Sequence, residues 1–182
     1  MRAPDELLAR YAGLVRQWAP RLDLVSPGDL PRLEERHIQD SLRVVPLLDE
    51  LPPGLCVDIG SGAGLPGIPL AIVRPERRWT LVEPRQRRAA FLEEVVRALG
   101  LGCRVVAATA ELCALDETLA GRHVLATARA VDEPAGVRTL AEPLLVSGGV
   151  TLVFTGSAAP VADGAEEWAP GLTIMRKPAE LD

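Results

Sequence analysis

Positive charge is scarce in this chain: Lys177 is the only lysine among 20 basic side chains, and the formal net charge is −5. A broadly basic surface of the kind that coats nucleic acid is thereby excluded, although local patches are not. Cysteine is equally sparse. Cys56, Cys103 and Cys113 are odd in number, show no Cys-x-x-Cys spacing and sit in apolar surroundings. That pattern implies neither a disulfide framework nor a zinc site, and predicts buried, inert thiols with no metal bound. No apolar run approaches the ~18 residues of a membrane span. The first residues carry Asp5, Glu6 and Arg10 within an amphipathic pattern, unlike a signal peptide, so a cytoplasmic protein with no membrane partner is expected. Internal repeats, low-complexity tracts and a recognisable acid/base pair are missing too.

What is there is an ordered alternation. From Asp5 to Trp18 the apolar residues Leu7, Leu8, Tyr11, Leu14, Val15 and Trp18 fall at the three-to-four spacing of one helix face. A second helix is expected from about Leu30 to Leu48, and Pro52-Pro53-Gly54 ends the helical region. Strands are then expected at 55–59, 79–83, 103–107, 124–128 and 150–154, and helices at 66–73, 87–99 and 134–145. Such βα repeats predict an α/β fold with a mainly parallel sheet, right-handed crossovers and ligands at the carboxyl ends of the strands. The stretch from Gly156 to Gly171 reads as a loop with at most a short helix, and Leu172 to Lys177 as a last strand. At 182 residues one domain is expected, with residues 1–53 as a helical extension and 54–182 as the core.

The segment Val57-Asp58-Ile59-Gly60-Ser61-Gly62-Ala63-Gly64-Leu65-Pro66-Gly67 runs a buried strand end into a glycine-rich turn and a helix start. Glycines without Cβ atoms let backbone approach a ligand closely, and the helix N-terminus behind them offers unpaired N–H groups. In the dinucleotide fingerprint, Gly-x-Gly-x-x-Gly, the third glycine would fall at Leu65, whereas here Gly64 comes one residue early. That weakens a nicotinamide reading. The next strand ends at Glu83, 19 residues beyond Gly64, and a carboxylate there can accept both hydrogen bonds from a ribose diol. The plain alternative is a structural turn with an ordinary surface glutamate.

This spacing resembles the first motif of S-adenosylmethionine-dependent methyltransferases with a Rossmann-like sheet. Further motifs follow in order: Arg36-His37-Ile38-Gln39-Asp40-Ser41-Leu42, Asp58 to Pro69, Arg87-Arg88-Ala89-Ala90-Phe91-Leu92, Ala110-Glu111, Arg129-Ala130, and Pro143-Leu144-Leu145 with Gly148-Gly149. Together they are similar to the ribosomal RNA small subunit methyltransferase G family, once called glucose-inhibited division protein B. The resemblance implies a class I methyltransferase sheet preceded by N-terminal helices, with S-adenosyl-L-methionine as cofactor. It implies transfer of a methyl group to N7 of a guanine in 16S rRNA, with free rRNA or the small ribosomal subunit as partner. Gly60, Leu65, Ala110, Glu111 and Arg129 are implied to contact the cofactor, beside Asp58, Gly62, Gly64 and Glu83 from the loop and strand-end reading. Arg36, His37, Asp40 and Ser41 form a polar cluster in an otherwise apolar helix, expected with Arg129 on the substrate side. His37 alone reads more readily as a packed helix histidine than as a catalyst. No catalytic residue is assigned, because guanine N7 offers a lone pair and has no proton to remove.

The chain departs from the family where Asp23-Leu24-Val25 replaces Asn-Leu-Thr, Thr109 replaces Arg, Ala128 replaces Ser, and Thr155-Gly156 replaces Lys-Gly. The carboxyl-terminal part is also shorter. Two missing cations and an added carboxylate imply fewer phosphate contacts, for which Arg85, Arg87 and Arg88 could compensate. A diverged paralogue acting on another RNA or a small molecule, and a cofactor-binding module without turnover, are the alternatives. A monomer is expected.

Overall fold

The structure, a computed structural model, describes residues 3–129, 133–155 and 164–179. Helix α1 (Pro4–Leu22) opens with proline at its first turn beside Asp5 and Glu6, and buries Tyr11, Ala12, Val15 and Ala19 along the predicted stripe. It stops at Asp23, which adopts the left-handed conformation (φ 51°) that a short polar side chain tolerates. The single helix expected from Leu30 to Leu48 is instead broken into four pieces. A 3-10 turn (Leu30–Arg32) leads to a π-helical turn (Glu34–Ile38), then α2 (Gln39–Leu42) and α3 (Val45–Glu50). Two local causes are visible. Pro46 has no N–H to continue the ladder from α2, and the Ser41 hydroxyl donates to the His37 carbonyl at 2.6 Å, competing with the backbone there.

The alternating part follows the expected order closely: β1 (Leu55–Ile59), α4 (Gly67–Val73), β2 (Arg78–Val82), α5 (Gln86–Leu99), β3 (Arg104–Val106), α6 (Ala110–Ala114), β4 (His123–Arg129), α7 (Pro134–Ala141) and β5 (Leu145–Phe154). A 3-10 turn (Glu142–Leu144) takes the last residues of the helix predicted to reach Leu145. The chain ends in β6 (Ala165–Ala169) and β7 (Leu172–Arg176). β6 corrects the reading of 156–171 as loop or short helix. Its sequence, Ala-Glu-Glu-Trp-Ala, has little apolar alternation because it is an edge strand, paired only with β7 and carrying two exposed acids that blunt the edge.

The seven strands lie in the order β3-β2-β1-β4-β5-β7-β6, with β1 to β5 parallel and β7 antiparallel to both of its neighbours. Alternate side chains feed two cores. Cys56, Leu81, Leu125 and Leu152 face α1, α4 and α5, whereas Val57, Val82, Ala126 and Val153 face α6 and α7. Tyr11, Val15, Leu33, Leu47 and Leu48 from the N-terminal helices belong to the first of these cores. At about 1.5–3 kcal/mol for each fully buried large apolar side chain, that shared core bonds the N-terminal helices firmly to the sheet. Cys56 and Cys113 are buried as expected, whereas Cys103 is only partly buried, and burial pushes the Cys56 thiol up to about 12.

Candidate active site

Register builds the site. Ile59 pairs with Val82 on one side and Ala128 on the other, so the next residues, Gly60, Glu83 and Arg129, emerge level with one another. They do so at the carboxyl ends of the strands, where the strand order reverses between β1 and β4. A cavity of about 410 Å³ opens there. Its walls are Gly60, Ser61, Gly62, Ala63 and Leu65 from the loop, Glu83, Pro84 and Arg85 after β2, Arg88, Arg129, and Leu24, Val25 and His37 from the N-terminal region. That volume falls within the range of pockets that enclose small molecules.

The loop side is built from buried carboxylates and backbone. Glu83 Oε2 accepts the Gly62 N–H at 2.9 Å and Oε1 accepts the Arg85 N–H at 2.8 Å. Each oxygen retains a second lone pair, so Glu83 holds the loop and still has acceptor capacity at the cavity wall. Gly62, at φ +55°, has nothing closer than 3.7 Å to where a Cβ would sit, leaving the space over the turn open. Asp58 lies underneath the loop. Its side chain is wholly buried, with Oδ1 accepting from Thr127 Oγ1 at 2.8 Å and Oδ2 from the Gly67 N–H at 3.3 Å. Burial pushes its carboxyl up to about 6, against the pull of Thr127, Ser61, the Gly67 N–H and Arg129. Asp58 therefore braces the loop from below and does not line the cavity. Gly64 likewise faces inward: a Cβ would come within 2.5 Å of Ile68 Cγ1. The close helix–strand approach that a third glycine serves in dinucleotide sites falls here to Gly67, where a Cβ would meet Leu81 Cδ2 at 2.6 Å.

The opposite side is built from side-chain pairs. Arg129, at the end of β4, donates through Nη2 to Asp40 Oδ2 at 2.8 Å and to the Arg36 carbonyl at 3.3 Å. Its guanidinium also lies 4.8 Å from the centre of the Phe154 ring. The Asp40 carboxylate is shared, since Oδ1 accepts from Arg43 at 2.8 Å. The His37 ring lines the cavity, yet its buried nitrogens have no hydrogen-bond partner; Asp29 Oδ2, at 3.7 Å from Nε2, is too far to serve. Burial and then Arg129 hold the imidazole pKa below its ordinary value, against the attraction of Asp29. Arg36 turns to Asp29 at 2.8 Å, and the Ser41 hydroxyl is spent on the His37 carbonyl.

Of the expected site residues, Gly60, Gly62, Leu65, Glu83, Arg129 and His37 meet at the cavity. Asp40 reaches it only through Arg129. Asp58, Gly64, Arg36, Ser41, Ala110 and Glu111 are not among its walls. Ala110 and Glu111 begin α6, where Thr109 accepts the Leu112 N–H as N-cap and the Glu111 carboxyl is held below its usual range by its own N–H and the Thr109 hydroxyl. Ala130 and Gly156 lie outside the described residues. Sequence reasoning misses Tyr11, whose hydroxyl donates to the Ala63 carbonyl at 2.9 Å and ties α1 to the loop. The available signal is a lone tyrosine on an apolar helix face, because a buried phenol needs a partner. Arg88, expected in a surface patch, instead donates to the Leu22 carbonyl at 3.2 Å and to the Asp23 carbonyl. Among the described residues no group of His, Cys, Asp and Glu could hold a metal ion, and no helix is long and apolar enough to cross a membrane.

Strand order, reversed final strand and a glycine loop facing an acid at the end of β2 define the sheet of a class I S-adenosylmethionine-dependent methyltransferase. Solved structures share this fold. A methyltransferase from Geobacter sulfurreducens aligns with a TM-score of 0.61 at 11% identity, over 98% of this chain and 91% of that one. A variant of MtNAS in complex with S-adenosylmethionine aligns at 0.61 with 21% identity, over 95% and 73%. The rRNA small subunit methyltransferase G family matches residues 5–166. The ribosomal RNA small subunit methyltransferase G of Stenotrophomonas maltophilia is 43% identical over 150 residues, 82% of this chain and 68% of that protein. The chain belongs to the rRNA small subunit methyltransferase G family.

Proposed function

We propose that this protein transfers a methyl group from S-adenosylmethionine to N7 of a guanine in 16S rRNA. The observation that carries the proposal is one cavity with two unlike walls: a glycine loop and Glu83 on one side, Arg129 and His37 on the other. The first wall fits a nucleoside, because the turn at Gly62 leaves open space and Glu83 keeps free lone pairs for a ribose diol. The cofactor supplies a methyl group already activated on a sulfonium sulfur. N7 needs no base to attack it, so the work left to the chain is alignment, which can contribute on the order of 7 to 11 kcal/mol. Glu83 and the loop backbone hold the donor, Asp58 and Tyr11 keep that loop in place, and Arg129 and His37 border the space for the entering base. Since N7 lies on the major-groove edge, the guanine must come from unpaired or distorted RNA.

The fold is read as one methyltransferase domain with residues 1–53 as its helical extension, acting as a monomer in the cytoplasm. The shared apolar core supports the first part of that reading. Mass spectrometry of 16S rRNA from cells with and without the protein tests the function. The expected result is a 7-methylguanosine present only with the protein. Its presence in both, together with no methylation of undermodified 16S rRNA or small subunits by purified protein, overturns the assignment.

A further inference from the structure

We infer that the groove beside the cofactor cavity, over the start of α5, is where the RNA backbone docks, its phosphates held by Arg21, Arg85 and Arg87; this rests on the rRNA reading above. The groove has a volume of about 560 Å³ and shares Arg85 and Arg88 with the cavity, so a strand whose base enters the cavity passes directly over it. The four arginines on it do different things. Arg88 is committed to the end of α1. Arg85 and Arg87 are exposed and make no side-chain hydrogen bond or ion pair among the described residues, and Arg21 has only a distant contact with the Trp18 ring at 6.0 Å. The one carboxylate lining the groove, Asp23, lies beside Arg88 at 3.7 Å.

Three guanidiniums without a salt-bridge partner converge on one groove of a chain whose net charge is −5. The placement also works against local stability: the first turn of α5 contains no acid and two arginines, the reverse of what a helix dipole favours. Phosphate oxygens supply the missing negative charge, and guanidinium forks match them geometrically.

The test uses Arg21→Glu and Arg87→Glu, singly and together, because neither residue lines the cofactor cavity. Arg78→Glu, at the exposed start of β2 on the far end of the sheet, is the control. Undermodified 16S rRNA is the probe, assayed across a range of salt concentrations. The expected result is a KM for RNA raised about tenfold in each single variant, with the salt dependence of log KM less steep by about 0.7 for each phosphate that is no longer neutralised. Turnover at saturating RNA, cofactor affinity by calorimetry and melting temperature should match the wild type. Unchanged KM and salt slope, or an equal shift in the Arg78→Glu control, overturns the groove. If the wild type transfers no methyl group to RNA, the functional reading fails on its own. The groove is then judged by retention of the same RNA on filters, where equal retention of wild type and double variant overturns it.

Discussion

The two walls of the cavity are made in different ways. On the loop side, the polar side chains Asp58 and Glu83 are almost completely buried and accept mainly from backbone N–H groups of the turn they support. On the facing side, Asp40 pairs with both Arg129 and Arg43, Arg36 pairs separately with Asp29, and all five remain partly exposed. A buried acceptor cannot leave its N–H without a full desolvation penalty, so the first wall is rigid. A partly exposed ion pair keeps water at hand to replace a broken contact, so the second rearranges more readily than the first. A small cofactor of one shape suits the rigid wall, and a large nucleic acid that must be drawn in suits the adaptable one.

The sharpest way to break this contrast is to crowd the rigid wall. Gly67→Ala places a methyl group 2.6 Å from Leu81 Cδ2 and 3.0 Å from Asp58 Oδ2. A destabilisation of about 3 kcal/mol is expected, at the upper end of overpacking costs, and urea denaturation checks it. Next comes the pH dependence of Asp58, whose carboxyl is raised to about 6 from an ordinary 3.8. The folded protein holds this proton where the unfolded chain has released it, so the contribution favours folding at low pH. It disappears as pH rises from about 4 through 6, to a total on the order of 3 kcal/mol. Asp58→Asn should flatten that part of the stability profile; an unchanged profile would assign the slope to other groups.

Glu83→Ala should weaken S-adenosylmethionine binding by about 1 to 3 kcal/mol in titration calorimetry. Because Glu83 also accepts from Gly62 and Arg85, folding stability should fall with it, and weaker affinity at unchanged stability would contradict the double role. The smallest effect on folding belongs to the adaptable wall. Arg129→Ala should cost about 1 kcal/mol of stability, since Asp40 keeps its bond to Arg43. Turnover on rRNA should nevertheless drop at least about tenfold, the scale of removing one charge-assisted hydrogen bond. A variant that fails to fold would make Arg129 a structural clamp.

The rigid wall is legible in the sequence because its signals are local. Glycine spacing, the strand before it and the acid at the next strand end all lie within 55–83, and the parallel register brings Gly60 level with Glu83 without further information. Legibility fails where the partner is remote. Tyr11 reaches Ala63 across 52 residues, and Arg129 reaches Asp40 across 89, so no periodicity or spacing could pair them. The break in the 30–48 helix is half legible: Pro46 is visible in the sequence, whereas a hydroxyl bonding to a carbonyl four residues back leaves no mark in apolar periodicity. β6 is hidden because an edge strand has little to bury.

The alternating α/β order, the parallel sheet, the donor loop and the family are all written along the chain, because backbone conformation and amphipathic period are properties of neighbouring residues. What each polar side chain does is set by packing. Packing sets Asp58 and Gly64 beneath the loop, ties Tyr11 to it, fastens Arg129 to the N-terminal segment and leaves Arg21, Arg85 and Arg87 without an ion pair in the neighbouring groove. Those roles depend on which groups leave water together, and burial is settled when distant parts of the chain have packed.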